Sequence, residues 1–345
     1  MRAAYYEKFK EKIRIESLPD PEPGSDDVVI KVQATGICRS DWHGWQGHDS
    51  DVRLPHVPGH ELAGTIELTG SAIRKFKNGD RVTLPFCLGC GHCPQCLNSQ
   101  QQICDNYYQP GFTGWGSFAE YVRIPYAENN LVILPEEIDY TTAAVLGCRF
   151  ITAWRGIIKQ GRLKAKDWIA VHGCGGVGLS AIMIAAAFNA KPIAIDIDDE
   201  KLRFAQSIGA VETINAKRVS NIPYAIHELT NGGAAISIDA LGSRETCRNS
   251  ILSLRKQGKH IQLGLLAGKE SDPPLPMSAV IANELEVIGS HGMQAHEYPS
   301  MLEMIRSGKI QPQKLLGKTV SLQEGIEELM ILNSFPTTGV SVIRF

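Results

Sequence analysis

Four cysteines crowd into fifteen residues of this chain. The run CGHCPQCLNSQQQIC places thiols at Cys90, Cys93, Cys96 and Cys104, with two residues between each of the first three and seven before the fourth. A tetrahedral Zn²⁺ takes four thiolates at roughly 2.3 Å, and short spacings on a loop can deliver them. Gly91 and Pro94 supply the turn chemistry for such a wrap. A disulfide cluster or reactive thiols are the competing readings, and the intracellular character of the rest of the chain disfavours both. A second set of possible ligands is scattered over the runs GICRSDWH (Gly36 to His43) and PGHE (Pro58 to Glu61) and the isolated Cys148. Cysteine and histidine from separate segments can hold a zinc by three ligands and leave the fourth position open to water or substrate. Spacing alone leaves Cys148 open, because a lone cysteine is also a common small core residue.

A third signal concerns phosphate. HGCGGVG, His172 to Gly178, contains G-x-G-x-x-G at Gly173, Gly175 and Gly178, with Gly176 and Val177 inside it. It follows an apolar strand and opens a helical pattern, the setting in which this weak motif gains meaning. The glycines permit a tight turn and close approach of a pyrophosphate to a helix N-terminus. Asp196 closes the next strand, where a carboxylate would accept hydrogen bonds from the adenosine ribose. Asp198, Asp199 and Glu200 add negative charge that would repel a 2′-phosphate, so NAD is expected rather than NADP; a solvated helix start is their bland alternative.

The elements that must position these groups fall into two textures. Up to about residue 150 the chain is rich in Gly and Pro, with short β-like runs at Val28–Val32, Gly64–Leu68, Arg81–Pro85, Phe118–Ile124 and Asn130–Leu134 separated by turn signals. This reads as an antiparallel, barrel-like β domain with long loops. Near Thr141 a helix is expected to open on hydroxyl residues. From Trp168 the pattern becomes βαβ: strands at Trp168–Val171, Pro192–Asp196, Ala235–Asp239, His260–Leu263 and Leu285–Ile288, and an Ala-rich helix at Leu179–Asn189. Alternating strands and helices imply a doubly wound parallel sheet. An amphipathic stretch at Tyr298–Ser307 and a strand at Gly339–Phe345 follow. The length of 345 residues fits about two domains, and the composition, 43% hydrophobic and 21% charged, is that of a globular protein. A formal net charge of −2 gives no reason to expect nucleic acid or an anionic membrane as partner. No signal peptide is visible, no apolar stretch approaches the roughly 20 residues of a membrane span, and nine cysteines point to a reducing, cytoplasmic setting.

The two cysteine sets, Gly59-His60-Glu61 with Gly64 just after, the Gly-rich turn, GDRV at Gly79–Val82 and GSFAEY at Gly116–Tyr121 together resemble the zinc-dependent medium-chain alcohol dehydrogenases, essentially from end to end. The resemblance implies a GroES-like catalytic domain over residues 1–149 and 292–345 and a Rossmann domain over 150–291. It implies a catalytic zinc on Cys38, His60 and Cys148, with Glu61 behind the metal and able to exchange with water, and a structural zinc on the four-cysteine loop. Asp41 would fix the tautomer of His60. Ser40 would touch the substrate hydroxyl, and His43 would end a proton relay running through the nicotinamide ribose. Thr152 and Val177 would pack on the nicotinamide, Lys201 would support the adenosine ribose, and Arg39 would reach the pyrophosphate. Phe86 and Trp42 are the pocket candidates for a small alcohol, aldehyde or ketone, with Trp45 and Trp115 as further aromatics. Several small-alcohol members carry a tryptophan where this chain has His48-Asp49-Ser50, which argues for a pocket wider than ethanol needs. A polyol or amino-alcohol dehydrogenase, a non-catalytic NAD-binding redox sensor and a zinc-free quinone reductase are the competing readings. The family implies a homodimer or homotetramer, with Gly264–Ser290 and its prolines 273, 274 and 276 at the sheet edge.

Overall fold

Val28–Gly36, VVIKVQATG, is rich in β-branched residues and buried at most positions, and it is the spine of the first unit. It pairs antiparallel with Glu61–Thr69 on one side, and with Val340–Arg344 and Tyr121–Ile124 on the other. Arg81–Thr83 and Val132–Ile133 extend the sheet beyond Glu61–Thr69, and Leu316–Val320 lies parallel to Val340–Arg344. In this computed structural model, which describes residues 1–332 and 338–345, the seven strands curl around a core built from Ile30, Val32, Leu62, Val82, Leu84 and Val122. A two-stranded antiparallel ribbon, Arg2–Tyr5 with Arg14–Ser17, belongs to the same unit and carries no sequence signature strong enough to announce it. The unit comprises residues 1–151, 292–308 and 316–345.

The second unit, residues 152–291 and 309–315, is built on a six-stranded, wholly parallel sheet. From edge to edge its strands are Glu212–Asn215, Lys191–Asp196, Trp168–His172, Ala234–Asp239, Leu254–Gln262 and Glu286–Gly289. The order reverses between Trp168–His172 and Ala234–Asp239, the switch point beside which dinucleotides bind in this architecture. The helix after the first strand runs Gly176–Ala187 and is apolar on all faces, so it is buried as a whole. Helix Tyr298–Arg306 of the first unit instead buries Tyr298, Met301, Leu302 and Ile305, the one-sided spacing expected of a surface helix.

Local details differ from the sequence pattern in two instructive places. The helix near residue 141 begins at Tyr140, and its cap is the Asp139 carboxylate, which accepts from the Thr142 N–H at 2.9 Å, rather than a threonine hydroxyl. The helix then changes pitch: Leu146–Phe150 is a π-helical turn, a form that clusters at functional sites, and Cys148 sits inside it. The expected strand at Asn130–Leu134 shrinks to Val132–Ile133, because Ala127–Asn130 form a short helical turn.

Candidate metal centres and cofactor turn

Helix Arg39–Trp45 starts at Cys38, and its third residue, Asp41, organises the surroundings. One carboxylate oxygen accepts from the Cys38 N–H at 3.0 Å. The other accepts from the Gly59 N–H at 3.1 Å and pairs with His60 Nδ1 at 2.8 Å. One buried carboxylate therefore ties two segments nineteen residues apart into one corner. With Nδ1 donating to Asp41, the other ring nitrogen of His60 presents its lone pair. That Nε2 is buried and has no hydrogen-bond partner, although buried polar atoms are almost always satisfied. Ligand atoms of Cys38, His60, Glu61 and Cys148 all lie within 4.8 Å of one another. A divalent cation would satisfy the orphaned nitrogen, so this donor set fits a zinc. Ser40 Oγ stands 3.8 Å from Cys38 Sγ, and the rings of Phe112 and Phe86 meet His60 edge-on at 5.4 and 6.2 Å.

Glu61 is held away from any free role. Arg149, next to Cys148, grips its carboxylate through Nε at 3.0 Å, through the backbone N–H at 3.1 Å and through Nη2. Both partners are nearly or wholly buried, and the close approach of Gly36 leaves no room for a Cβ beside the Glu61 oxygen. Burial pushes the Glu61 carboxyl above its usual range, and the Arg149 guanidinium opposes that. The two thiols shift in opposite directions. Hydrogen bonding with Cys148, aided by Arg149 and His60 against the cost of burial, holds Cys38 well below an ordinary thiol; the same bond together with burial holds Cys148 well above. Metal ligation requires both as thiolates. Burial disfavours a charged His60, but Asp41 and Cys38 outweigh it and raise its imidazole.

The four-cysteine loop is built differently. Cys93 caps the short helix Pro94–Leu97, a 3₁₀ turn covers Gln101–Ile103, and all four sulfurs are buried within 4.8 Å of one another. Backbone N–H groups of Cys90 and Asn106 donate to Cys104 Sγ at 3.3 and 3.2 Å, and the Asn106 amide donates to Cys90 Sγ at 3.5 Å. Such donors favour thiolates. The Cys93–Cys104 sulfur separation of 3.7 Å is far from a bonded pair, and none of the nine cysteines forms a disulfide. Asn130 roots the lobe, with its amide accepting from the Gly89 N–H and donating to the Gly89 carbonyl, each at 2.9 Å. Cys87 lies outside the set; its thiol donates to the Met293 carbonyl at 3.6 Å.

In the second unit the Gly-rich turn has the geometry phosphates require. Gly175 precedes the first turn of helix Gly176–Ala187, Val177 is half-buried in that turn, and Gly178 lies so close to the Gly173 carbonyl that no Cβ fits. Asp196 accepts from the Cys174 and Ile197 N–H groups, both at 2.7 Å, and from the Asp198 N–H at 3.1 Å. Its carboxylate is thus fixed at the strand end, with lone pairs left for ribose hydroxyls. Asp198 caps helix Asp199–Ser207, accepting from the Glu200 and Lys201 N–H groups, and Asp199 pairs with Arg218. Those two acids serve the helix start. Thr152 is buried in helix Ile151–Trp154.

The aromatic pocket candidates separate. Phe86 stands beside His60, whereas the Trp42 ring meets His43 and His48 edge-on at 5.0 and 5.7 Å. Trp45 Nε1 donates to the Glu11 carbonyl at 2.7 Å, and Trp115 donates to the Pro55 carbonyl, so both have structural partners. Sequence reasoning missed Arg149, Asn106, His48 and Phe112. Only Arg149, adjacent to a candidate ligand, carried a hint.

Two family models match the chain, "Alcohol dehydrogenase GroES-like domain" over residues 24–136 and "Zinc-binding dehydrogenase" over 176–307. An alcohol dehydrogenase of Moraxella sp. is 34% identical across 90% of both chains. An NAD-dependent alcohol dehydrogenase of Sulfurisphaera tokodaii is 30% identical across 99% of both. The solved alcohol dehydrogenase of Thermus sp. ATN1 superposes with a TM-score of 0.91 at 30% identity, covering 100% of this chain and 99% of that one. With a GroES-like unit carrying two clustered donor sets and a Rossmann unit carrying the Gly-rich turn, this chain belongs to the zinc-dependent medium-chain dehydrogenase/reductase family.

Proposed function

We infer that this chain is an NAD-dependent alcohol dehydrogenase, an oxidoreductase that moves a hydride reversibly between a CH–OH group and NAD, with zinc and NAD as its cofactors. The observation that carries the reading is the buried, partnerless Nε2 of His60 among Cys38, Glu61 and Cys148. Cys38, His60 and Cys148 would hold a catalytic zinc, and Cys90, Cys93, Cys96 and Cys104 a structural one. Bound zinc supplies Lewis acidity that lowers the pKa of an alcohol, and NAD accepts the hydride. The chain's own groups do the rest. Asp41 fixes the His60 tautomer. Arg149 keeps Glu61 in place, so Glu61 stands in reserve rather than as a resting ligand. Ser40, beside Cys38, takes the substrate proton, and His43 is the far station of its path. Gly173 to Gly178 hold the pyrophosphate, Asp196 the adenosine ribose, Arg39 and Lys201 neighbouring cofactor groups, and Thr152 and Val177 the nicotinamide.

Phe86, with Phe112, would shape the alcohol's apolar side, and Trp42 serves the histidines beside it. The chain works as a homo-oligomer in this proposal, joined through the open edge strand Glu286–Gly289, beside which Leu275, Met277, Ile281 and Val287 are exposed. A cytoplasmic location agrees with nine cysteines outside any disulfide; among the described residues no helix is long and apolar enough to cross a membrane. The test is a panel of primary, secondary and polyhydroxy alcohols followed by NADH absorbance. Turnover with simple alcohols is expected, and absence of any NAD reduction across the panel would overturn the reading.

A further inference from the structure

Helix Arg39–Trp45 ends in a Schellman cap. Gly47, with φ of +72°, takes the left-handed position; its N–H donates to the Gly44 carbonyl at 3.0 Å, and the His48 N–H donates to the His43 carbonyl at 3.0 Å. This motif brings the residue after the glycine against the third-last residue of the helix, usually as an apolar contact. Here both positions are histidines. Their Nδ1 atoms lie 3.0 Å apart, within hydrogen-bond distance, so one of the two carries a proton that the other accepts. Trp42 stands edge-on to both rings and fixes their mutual orientation. His43 is half-buried and His48 is exposed, so the pair leads from the interior of the unit to water.

We propose that His48 is the exit residue of the proton path, receiving from His43 the proton released by alcohol oxidation and passing it to solvent. This rests on the relay reading of His43 given above. A proton arriving on the second ring nitrogen of His43 displaces the shared proton from His43 Nδ1 to His48 Nδ1. His48, now doubly protonated, loses one proton to water, and exchange with water resets the tautomers. One proton enters and one leaves, and no redox partner is needed. The groups facing His43 suit transit rather than storage. Burial, the Arg39 guanidinium one helical turn away and His48 itself depress its pKa to about 4, against smaller opposing effects of Cys38 and Asp49. A station that holds its proton weakly hands it on.

The discriminating variant is His48→Phe, which keeps the apolar version of the cap contact and removes the acceptor. In the zinc-loaded enzyme saturated with NAD, kcat for oxidation should fall roughly tenfold below pH 7, with KM unchanged. Activity should recover as a bulky zwitterionic buffer base such as HEPES is raised. Nitrogen-15 NMR of the parent should show His43 and His48 titrating as one coupled pair. A parent-like pH profile in His48→Phe, or independent titration of the two rings, overturns the proposal. His43→Ala separates the two levels. If it slows oxidation while His48→Phe does not, only the exit role fails; if His43→Ala also leaves the profile unchanged, the relay reading fails with it.

Discussion

The two donor clusters of the first unit solve the same problem by opposite means. Around Cys90–Cys104 every sulfur comes from one loop, and the sulfurs are steadied by neutral N–H groups of that loop and of Asn106 just beyond it. Around His60 the ligands come from three distant segments, and the steadying groups are charged side chains, Asp41 and Arg149, that bridge those segments. Four thiolates close a coordination sphere, whereas three protein ligands leave a position for chemistry. A stabilising centre can therefore be local and neutral in its support. A centre open for chemistry, the role proposed for the His60 corner, would draw its donors from several directions and hold them with buried charge.

Removing one ligand from each centre should break the comparison most sharply. Cys38→Ser should lower alcohol-dependent NADH formation by about a thousandfold or more with NAD binding retained, and zinc should fall from about two to about one per chain. Cys93→Ser should also lose one zinc, but its main effect should be on thermal stability, with residual turnover while the chain stays folded. Equal loss of activity at equal stability would erase the distinction. The next effect in size concerns the charged support. Arg149→Met strands a buried carboxylate and should cost about 3–5 kcal/mol in a denaturant titration. The double variant Arg149→Met with Glu61→Gln should recover most of that loss, and additive losses would show that the pair is not the source. The smallest effect belongs to the neutral support. Asn106→Ala removes one amide donor to Cys90 and should cost about 1 kcal/mol, read as a shift in Tm with kcat unchanged.

What could be read from the chain alone follows the same division. The four-cysteine loop and the Gly-rich turn were legible because their geometry is local: thiols two residues apart, or glycines opening a helix after a strand. The parallel sheet was legible through its alternating pattern, although its edge strand Glu212–Asn215 was not, nor was Leu316–Val320 of the first unit, both being short and poorly buried. The Arg149–Glu61 clamp spans 88 residues of sequence, and nothing local to either residue names its partner. The histidine pair is local, yet it depends on the left-handed turn at Gly47, which the sequence permits without requiring. The pitch change at Leu146–Phe150 was invisible for the same reason; the pattern there reads as a continuing helix.

The pairing of Val340–Arg344 with Val28–Gly36 has a consequence for the order of events at the ribosome. Val342 lies opposite Gly36, about 300 residues earlier, and the Ile37 N–H, one residue before Cys38, donates to the Ser341 carbonyl at 2.9 Å. The strand that leads into Cys38 therefore finds Glu61–Thr69 early, but its second neighbour only about 300 residues later. The four-cysteine loop takes its sulfurs from fifteen residues and its supporting groups from Gly89, Asn106 and Asn130, all made early. The two donor sets would accordingly mature at different times: the four-cysteine set once Asn130 is made, and the Cys38 corner only when the late strand braces Ile37.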